Sequence, residues 1–148
     1  MFKSIVVGVD GSPTASEALR RAARLADATG AELHVVCAYQ NAALTSLAPV
    51  GEVSLAGAAD IEQALKRTAE ELVETAAKEL GVDGLKVQTH AVEGEASDVL
   101  IDAAERLDCD LIVVGNRGMR GGKRMLLGSV PNRVAHHAGR DVMIVHTS

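Results

Sequence analysis

The sequence predicts an α/β fold, a single open parallel sheet with helices on both faces. Three observations point there. Strand-length apolar runs alternate with stretches of helical periodicity from one end of the chain to the other. Two of those runs, Ser4-Ile5-Val6-Val7-Gly8-Val9 and Leu111-Ile112-Val113-Val114, are apolar without alternation, as in strands buried on both faces. Glycines and capping residues punctuate the joints between strand and helix patterns. Repeated β-α-β units imply right-handed crossovers, and therefore parallel strands covered on both sides.

Each element has its own local reason. The first strand, residues 4–9, runs into Asp10. Ser12-Pro13 then supplies an N-cap and a proline at the first helical position. Ala15, Ala18, Leu19, Ala22 and Ala26 follow at helical spacing until Gly30 stops the helix. A second strand covers Glu32 to Tyr39, centred on Leu33, Val35 and Val36. Residues 40–57 carry one charged residue, Glu52, among Ala, Leu, Ser, Gly and Pro, and read as a flexible loop of the lid or binding type. Helix resumes with Ile61, Leu65, Leu72, Ala76 and Leu80 on one face and ends at Gly81. A third strand spans about Leu85 to Val92, and Gly94 turns the chain into a helix bearing Ala96, Leu100, Ala103, Ala104 and Leu107. The fourth strand ends at Gly115, and a glycine-rich stretch follows to Gly128. The last helix starts at Ser129-Val130-Pro131 and ends at Gly139, and Asp141 to His146 forms the last strand.

Composition bounds what the chain does. Its 148 residues suit one domain, 1–148, and 47% hydrophobic with 24% charged residues is a globular balance. With no Trp, one Tyr and one Phe, the core must be aliphatic and the helices must approach the sheet closely. A net charge of −5 argues against nonspecific nucleic-acid binding. The longest apolar runs fall far short of a membrane span. Met1-Phe2-Lys3 leads straight into a strand pattern without a secretory leader, and Cys37 and Cys109 read as reduced, buried thiols. A cytoplasmic setting is the expectation.

The informative stretch runs from Gly115 to Ser129, between a buried strand and a helix start. Glycines remove Cβ atoms, so backbone N–H groups can approach phosphate oxygens directly, and the helix start adds unpaired N–H groups and a positive dipole end. This stretch holds Arg117, Arg120, Lys123 and Arg124 and no acidic residue, inside an acidic protein. That local inversion of charge favours an anionic ligand. A Walker A loop does not fit, because Arg124 follows Gly122-Lys123 and Arg117 stands where its first glycine belongs. Nor does the dinucleotide pattern, since the first strand is followed by Gly8-Val9-Asp10-Gly11.

Gly115, two residues, Gly118, nine residues and Gly128-Ser129 resembles the G-x2-G-x9-G-[S/T] loop of nucleotide-binding universal stress proteins. The opening Val6-Val7-Gly8-Val9-Asp10-Gly11-Ser12, the Leu126-Leu127-Gly128-Ser129-Val130 run and the closing Val142-Met143-Ile144-Val145 agree, so the resemblance covers essentially the whole chain. It implies a Rossmann-like five-stranded parallel sheet of order 3-2-1-4-5 and a homodimer. It also implies residue roles. Asp10 would accept hydrogen bonds from ribose hydroxyls, with Gly8 and Val9 beside it, and Ala38 would meet adenine through its backbone. Gly115 and Asn116 would flank the ribose. Gly118, Met119 and Arg120 would wrap the phosphates, and Gly128, Ser129 and Val130 would close that site. Cys37 departs from the His that many members carry there, which matters little where backbone atoms make the contact.

Blander readings stand beside these. Asp10 is also a loop acid ahead of a capped helix, and Ser129 an ordinary N-cap. The basic residues of the glycine stretch also read as a solvated patch, with Arg120 the first choice for phosphate. His136-His137 reads as helix surface, and His34, His90 and His146 have no metal spacing. An apolar edge strand at 141–146 invites antiparallel pairing with a second copy, closing a dimer.

The leading expectation is an adenine-nucleotide-binding (ATP) regulator of stress response, with Mg2+ accompanying the triphosphate. AMP or cyclic AMP fits the same adenine–ribose pocket. A slow ATP hydrolase, using Asp10 or Asn116 to orient water or metal, and a nucleotide-free dimerisation module are the competing readings.

Overall fold

The computed structural model describes residues 1–40, 55–117 and 127–147. Strand β1 is Ser4–Gly8, helix α1 Pro13–Thr29, β2 Glu32–Tyr39 and α2 Leu55–Glu79. Strand β3 is Val87–Glu93, α3 Ala96–Arg106, β4 Leu111–Gly115, α4 Ser129–His137 and β5 Asp141–Val145. The strands form one sheet in the order β3-β2-β1-β4-β5, and every neighbouring pair is parallel. The expected fold class and strand order are both observed.

Alternation along the central strands sorts two aliphatic cores. Ile5 and Val7, with Leu33, Val35, Leu111 and Val113, face α1 and α2. Val6, Val36, Ile112 and Val114 face α3 and α4 on the other side. Ala18, Ala22, Ala23 and Ala26 are the buried stripe of α1, so its backbone lies close to the sheet. Full burial of each large aliphatic side chain contributes about 1.5–3 kcal/mol, and Ile5, Val6, Val7, Leu33 and Ile112 are fully buried.

Helix α1 starts where the sequence says. Ser12 Oγ accepts the Ala15 N–H at 3.2 Å, Pro13 occupies the first turn, and Gly30 closes the helix in the left-handed region at φ 72°. That N-cap contributes about 1 kcal/mol.

Several boundaries differ from the sequence reading, among them that of β1, which stops at Gly8 rather than Val9. Helix α2 opens at Leu55, so residues 55–57 belong to its first turn rather than to the loop over 40–57; an alanine-rich start has good helix propensity. Residues 41–54 of that loop lie outside the described residues. Strand β3 begins at Val87 rather than Leu85, which instead packs against the α1/α2 core. Helix α4 begins at Ser129, as read from the sequence, and its N-cap Gly128 makes no side-chain cap bond. Strand β5 stops at Val145, because the Asn116 carbonyl accepts the Gly128 N–H and the Thr147 N–H turns to the Asn116 side chain instead of continuing the ladder.

Candidate functional site: the crevice at the carboxyl ends of β1 and β4

Strand order reverses between β1 and β4, and there the crossovers diverge to opposite faces. In open parallel sheets this leaves a crevice beyond the carboxyl ends of the strands. A cleft of about 480 Å³, including its open mouth, occupies this position. Its lining is mostly small or aliphatic: Gly8 and Val9, Val36 and Ala38, Ala96 and Leu100, Val114 and Gly115, and Val130 and Pro131. Asp10 and Arg117 are its charged members.

The shape depends on what is missing. A Cβ on Gly8 would stand 2.9 Å from Leu100 Cδ1, so glycine there lets α3 settle against the sheet. A Cβ on Gly115 would stand 2.5 Å from Thr14 Cγ2 and 3.1 Å from the Thr14 carbonyl oxygen. The first turn of α1 therefore packs directly on the end of β4.

Asp10 is exposed at the lip of the cleft. Its Oδ1 accepts the Ser12 N–H at 2.9 Å, which holds the carboxylate in place while Gly11 turns the chain at φ 83°. An ionised carboxylate has acceptor capacity beyond that one bond. Nearby Cys37 has its thiol pushed up from the ordinary value, first by burial and then by the Asp10 charge. It is thus an unreactive thiol lining the strand, not a nucleophile.

On the opposite wall, α4 begins without a side-chain cap, and Pro131 has no N–H to offer. The first-turn N–H groups of Ser129 and Val130 are the kind that an anion satisfies at a helix start. The Gly128 N–H donates to the Asn116 carbonyl at 2.8 Å, fixing this helix start against the end of β4.

Asn116, expected to flank the ribose, is not among the residues lining the cleft. Its side chain is only 2% exposed and turns away from the cleft. Nδ2 lies 3.1 Å from His146 Nδ1, and Oδ1 accepts the Thr147 N–H at 3.1 Å. Of the residues expected at the site, Gly8, Val9, Asp10, Ala38, Gly115 and Val130 line the cleft. Gly128 and Ser129 stand at its edge, in the helix start, while Gly118, Met119 and Arg120 lie outside the described residues. Sequence reasoning missed Ala15, Val36, Ala96, Leu100, Val114 and Pro131. The i, i+4 spacing of Ala96 and Leu100, on a helix start facing the crevice, was the signal available for two of them.

Among the described residues, no group of three or more His, Cys, Asp or Glu side chains is placed to hold a metal ion. No helix among them is long and apolar enough to cross a membrane.

The arrangement defines an open-sheet α/β protein with a ligand crevice at its switch point. More narrowly, the chain belongs to the universal stress protein family, which it matches over residues 1–146. It is 34% identical over 151 residues to universal stress protein Rv1636 of Mycobacterium tuberculosis, covering 99% of this chain and 98% of that protein. A universal stress protein solved in complex with cAMP is similar at 33% identity and a TM-score of 0.66, over 99% of this chain and 98% of that one. The universal stress protein from Archaeoglobus fulgidus in complex with dAMP is similar at 25% identity and a TM-score of 0.61, over 97% of each chain.

Proposed function

We propose that this protein binds an adenine nucleotide, with ATP the leading ligand, and acts as a regulator in stress response rather than as a catalyst of metabolic flux. The observation that carries the reading is the cleft itself. A shallow wall of small and aliphatic residues suits a flat purine, Asp10 stands where a sugar's hydroxyls can donate, and an uncapped helix start faces Asp10 from the other side. Relatives of similar sequence are complexed with cAMP and with dAMP, which supports an adenine ligand in this family.

In this reading the purine lies against Val36, Ala38 and Leu100, and Asp10 takes the ribose hydroxyls as a charge-assisted acceptor. The Ser129 and Val130 N–H groups, the Arg117 guanidinium and the glycine-rich residues Gly118, Met119 and Arg120 receive the phosphates. Mg2+ would be carried by the phosphates themselves. The open edge of β5 pairs with a second copy to form a homodimer, and the setting is the cytoplasm, consistent with two free, buried thiols.

Cyclic AMP is the second reading, favoured by the relative that holds it. Titration of the nucleotide-stripped protein with ATP, AMP and cyclic AMP, with GTP as control, separates the two. Binding that prefers ATP supports the leading reading, preference for cyclic AMP replaces it, and equal binding of GTP overturns adenine recognition. Sedimentation of the same sample tests the dimer, and a monomer at all concentrations would refute it.

A further inference from the structure

Gly115 has two sides. One borders the cleft, and on the other a cluster of polar side chains closes over the end of β4. Thr147 Oγ1 lies 3.3 Å from Asn116 Oδ1 and 2.9 Å from Thr14 Oγ1. The Asn116 oxygen can only accept, so the Thr147 hydroxyl gives its one proton to Asn116, and Thr14 must donate to Thr147. The same logic orients the amide. Since Oδ1 also accepts the Thr147 N–H, Nδ2 faces His146 and donates to Nδ1, which places the imidazole proton on Nε2. Arg117 completes the cluster, its Nη2 donating to the Thr147 carbonyl at 3.0 Å.

The Asn116–Thr147 bonds extend the β4–β5 ladder past its last rung, Gly115–Val145, and the Thr14–Thr147 bond ties the start of α1 to it. Thr14 belongs to the first turn of α1, four residues beyond Asp10. Asn116 and Arg117 open the glycine-rich stretch, and the Asn116 carbonyl receives the Gly128 N–H at the start of α4. Three separate segments line the cleft at its phosphate side, and all three converge on Asn116 and Thr147, neither of which lines the cleft.

We propose that Asn116 and Thr147 form a positioning bracket, setting the spacing of the β1–α1 turn, Arg117 and the α4 start from outside the ligand cleft. The inference rests on the nucleotide reading above and assigns Asn116 a part other than ribose contact. Thr147 reaches the ligand only through Thr14, Asn116 and Arg117, so it is a positioning residue whose removal loosens phosphate recognition while the adenine wall stays intact.

The test uses Thr147→Val and Thr14→Val, singly and together, with Thr147→Ser as the conservative rescue. ATP and adenosine affinities and Tm are measured for each. Amide hydrogen exchange of Gly128 and Thr147 is followed without ligand. We expect Thr147→Val to weaken ATP about three- to tenfold, the loss of a partly buried hydrogen bond. Adenosine affinity and Tm stay as in the wild type, and Thr147→Ser restores ATP binding. The double variant is no worse than the single ones, because the two hydroxyls act as one chain. Unchanged ATP binding overturns the proposal, as do equal losses for ATP and adenosine with a lowered Tm, which mark a merely structural staple. If the wild type binds neither ligand, the nucleotide reading falls on its own. Exchange then decides the bracket: faster exchange at Gly128 and Thr147 in the variants upholds it, and unaltered exchange refutes it.

Discussion

Among the described residues, two partly buried polar clusters contain a histidine, and they do different work. At the carboxyl end of the sheet, Asn116, His146 and Thr147 extend the β4–β5 pairing past its last rung, Gly115–Val145, and Thr14 ties the start of α1 to it. Toward the other end, His34 of β2 and His90 of β3 meet with Nδ1 and Nε2 3.1 Å apart, across two strands that already share a full parallel register. Removing the first cluster frees the start of α1 from the ends of β4 and β5, whereas removing the second leaves β2 and β3 paired along their whole length. Function is therefore expected to depend on the first cluster, and the pH response of stability on the second.

The histidine pair has a definite sign. His34 is 3% exposed, and burial lowers its pKa against the opposing pull of Glu32, 3.9 Å away. His90 is lowered first by burial, then by His34 and Arg106. Both therefore bind protons more weakly in the folded protein than the unfolded value of 6.5. Their contribution is complete above that value and is lost as pH falls through it, because the unfolded chain then takes up protons that the fold resists.

The variants that break or sharpen this contrast differ in size. The largest effect belongs to Gly115→Ala, whose Cβ would push Thr14 off the end of β4. We expect a stability loss of roughly 1–3 kcal/mol, as in overpacked cores, together with loss of nucleotide binding. Denaturant unfolding and titration calorimetry check both halves. Asp10→Asn comes next. The amide oxygen still accepts the Ser12 N–H, so Tm should hold while nucleotide affinity falls about tenfold with the lost charge. An equal affinity would remove Asp10 from the site.

A smaller, pH-dependent effect separates the clusters directly. Tm should decline as pH drops from 7.5 to 5.5, and His34→Leu/His90→Leu should flatten that decline without changing nucleotide affinity at pH 7.5. A slope that survives the double substitution would place the titration elsewhere. The smallest effect is expected of Arg133→Ala. Arg133 links α4 to Glu95, the N-cap of α3, and to Asp98 in its first turn, but at 54% side-chain exposure the pairs are screened by water. A change below about 0.5 kcal/mol in unfolding free energy is expected.

Much of this was legible in the sequence because it is local. The unbroken apolar runs at Ile5-Val6-Val7 and Leu111 to Val114 can only be central strands, and Ser12-Pro13 and Gly30 bound α1 where they should. Asp10 and Gly115 fell at the strand ends that make the crevice. What escaped depends on distant partners. Asn116, between a glycine and an arginine, reads as a ligand contact, yet its side-chain partners lie 30 and 31 residues away. His34 and His90, 56 residues apart, meet only because β2 and β3 are neighbours in parallel register. The start of α4 at Ser129 was legible, but no local pattern announces the bond from the Gly128 N–H to the Asn116 carbonyl that fixes it.

The most direct measurement is calorimetric titration of the nucleotide-stripped protein with ATP, repeated on Asp10→Asn, with GTP as control. We expect saturable, adenine-selective binding that weakens about tenfold in the variant without a change in Tm. Absence of ATP, AMP and cyclic AMP binding in the folded wild type, or ATP binding indifferent to Asp10, would contradict a nucleotide cleft at the ends of β1 and β4.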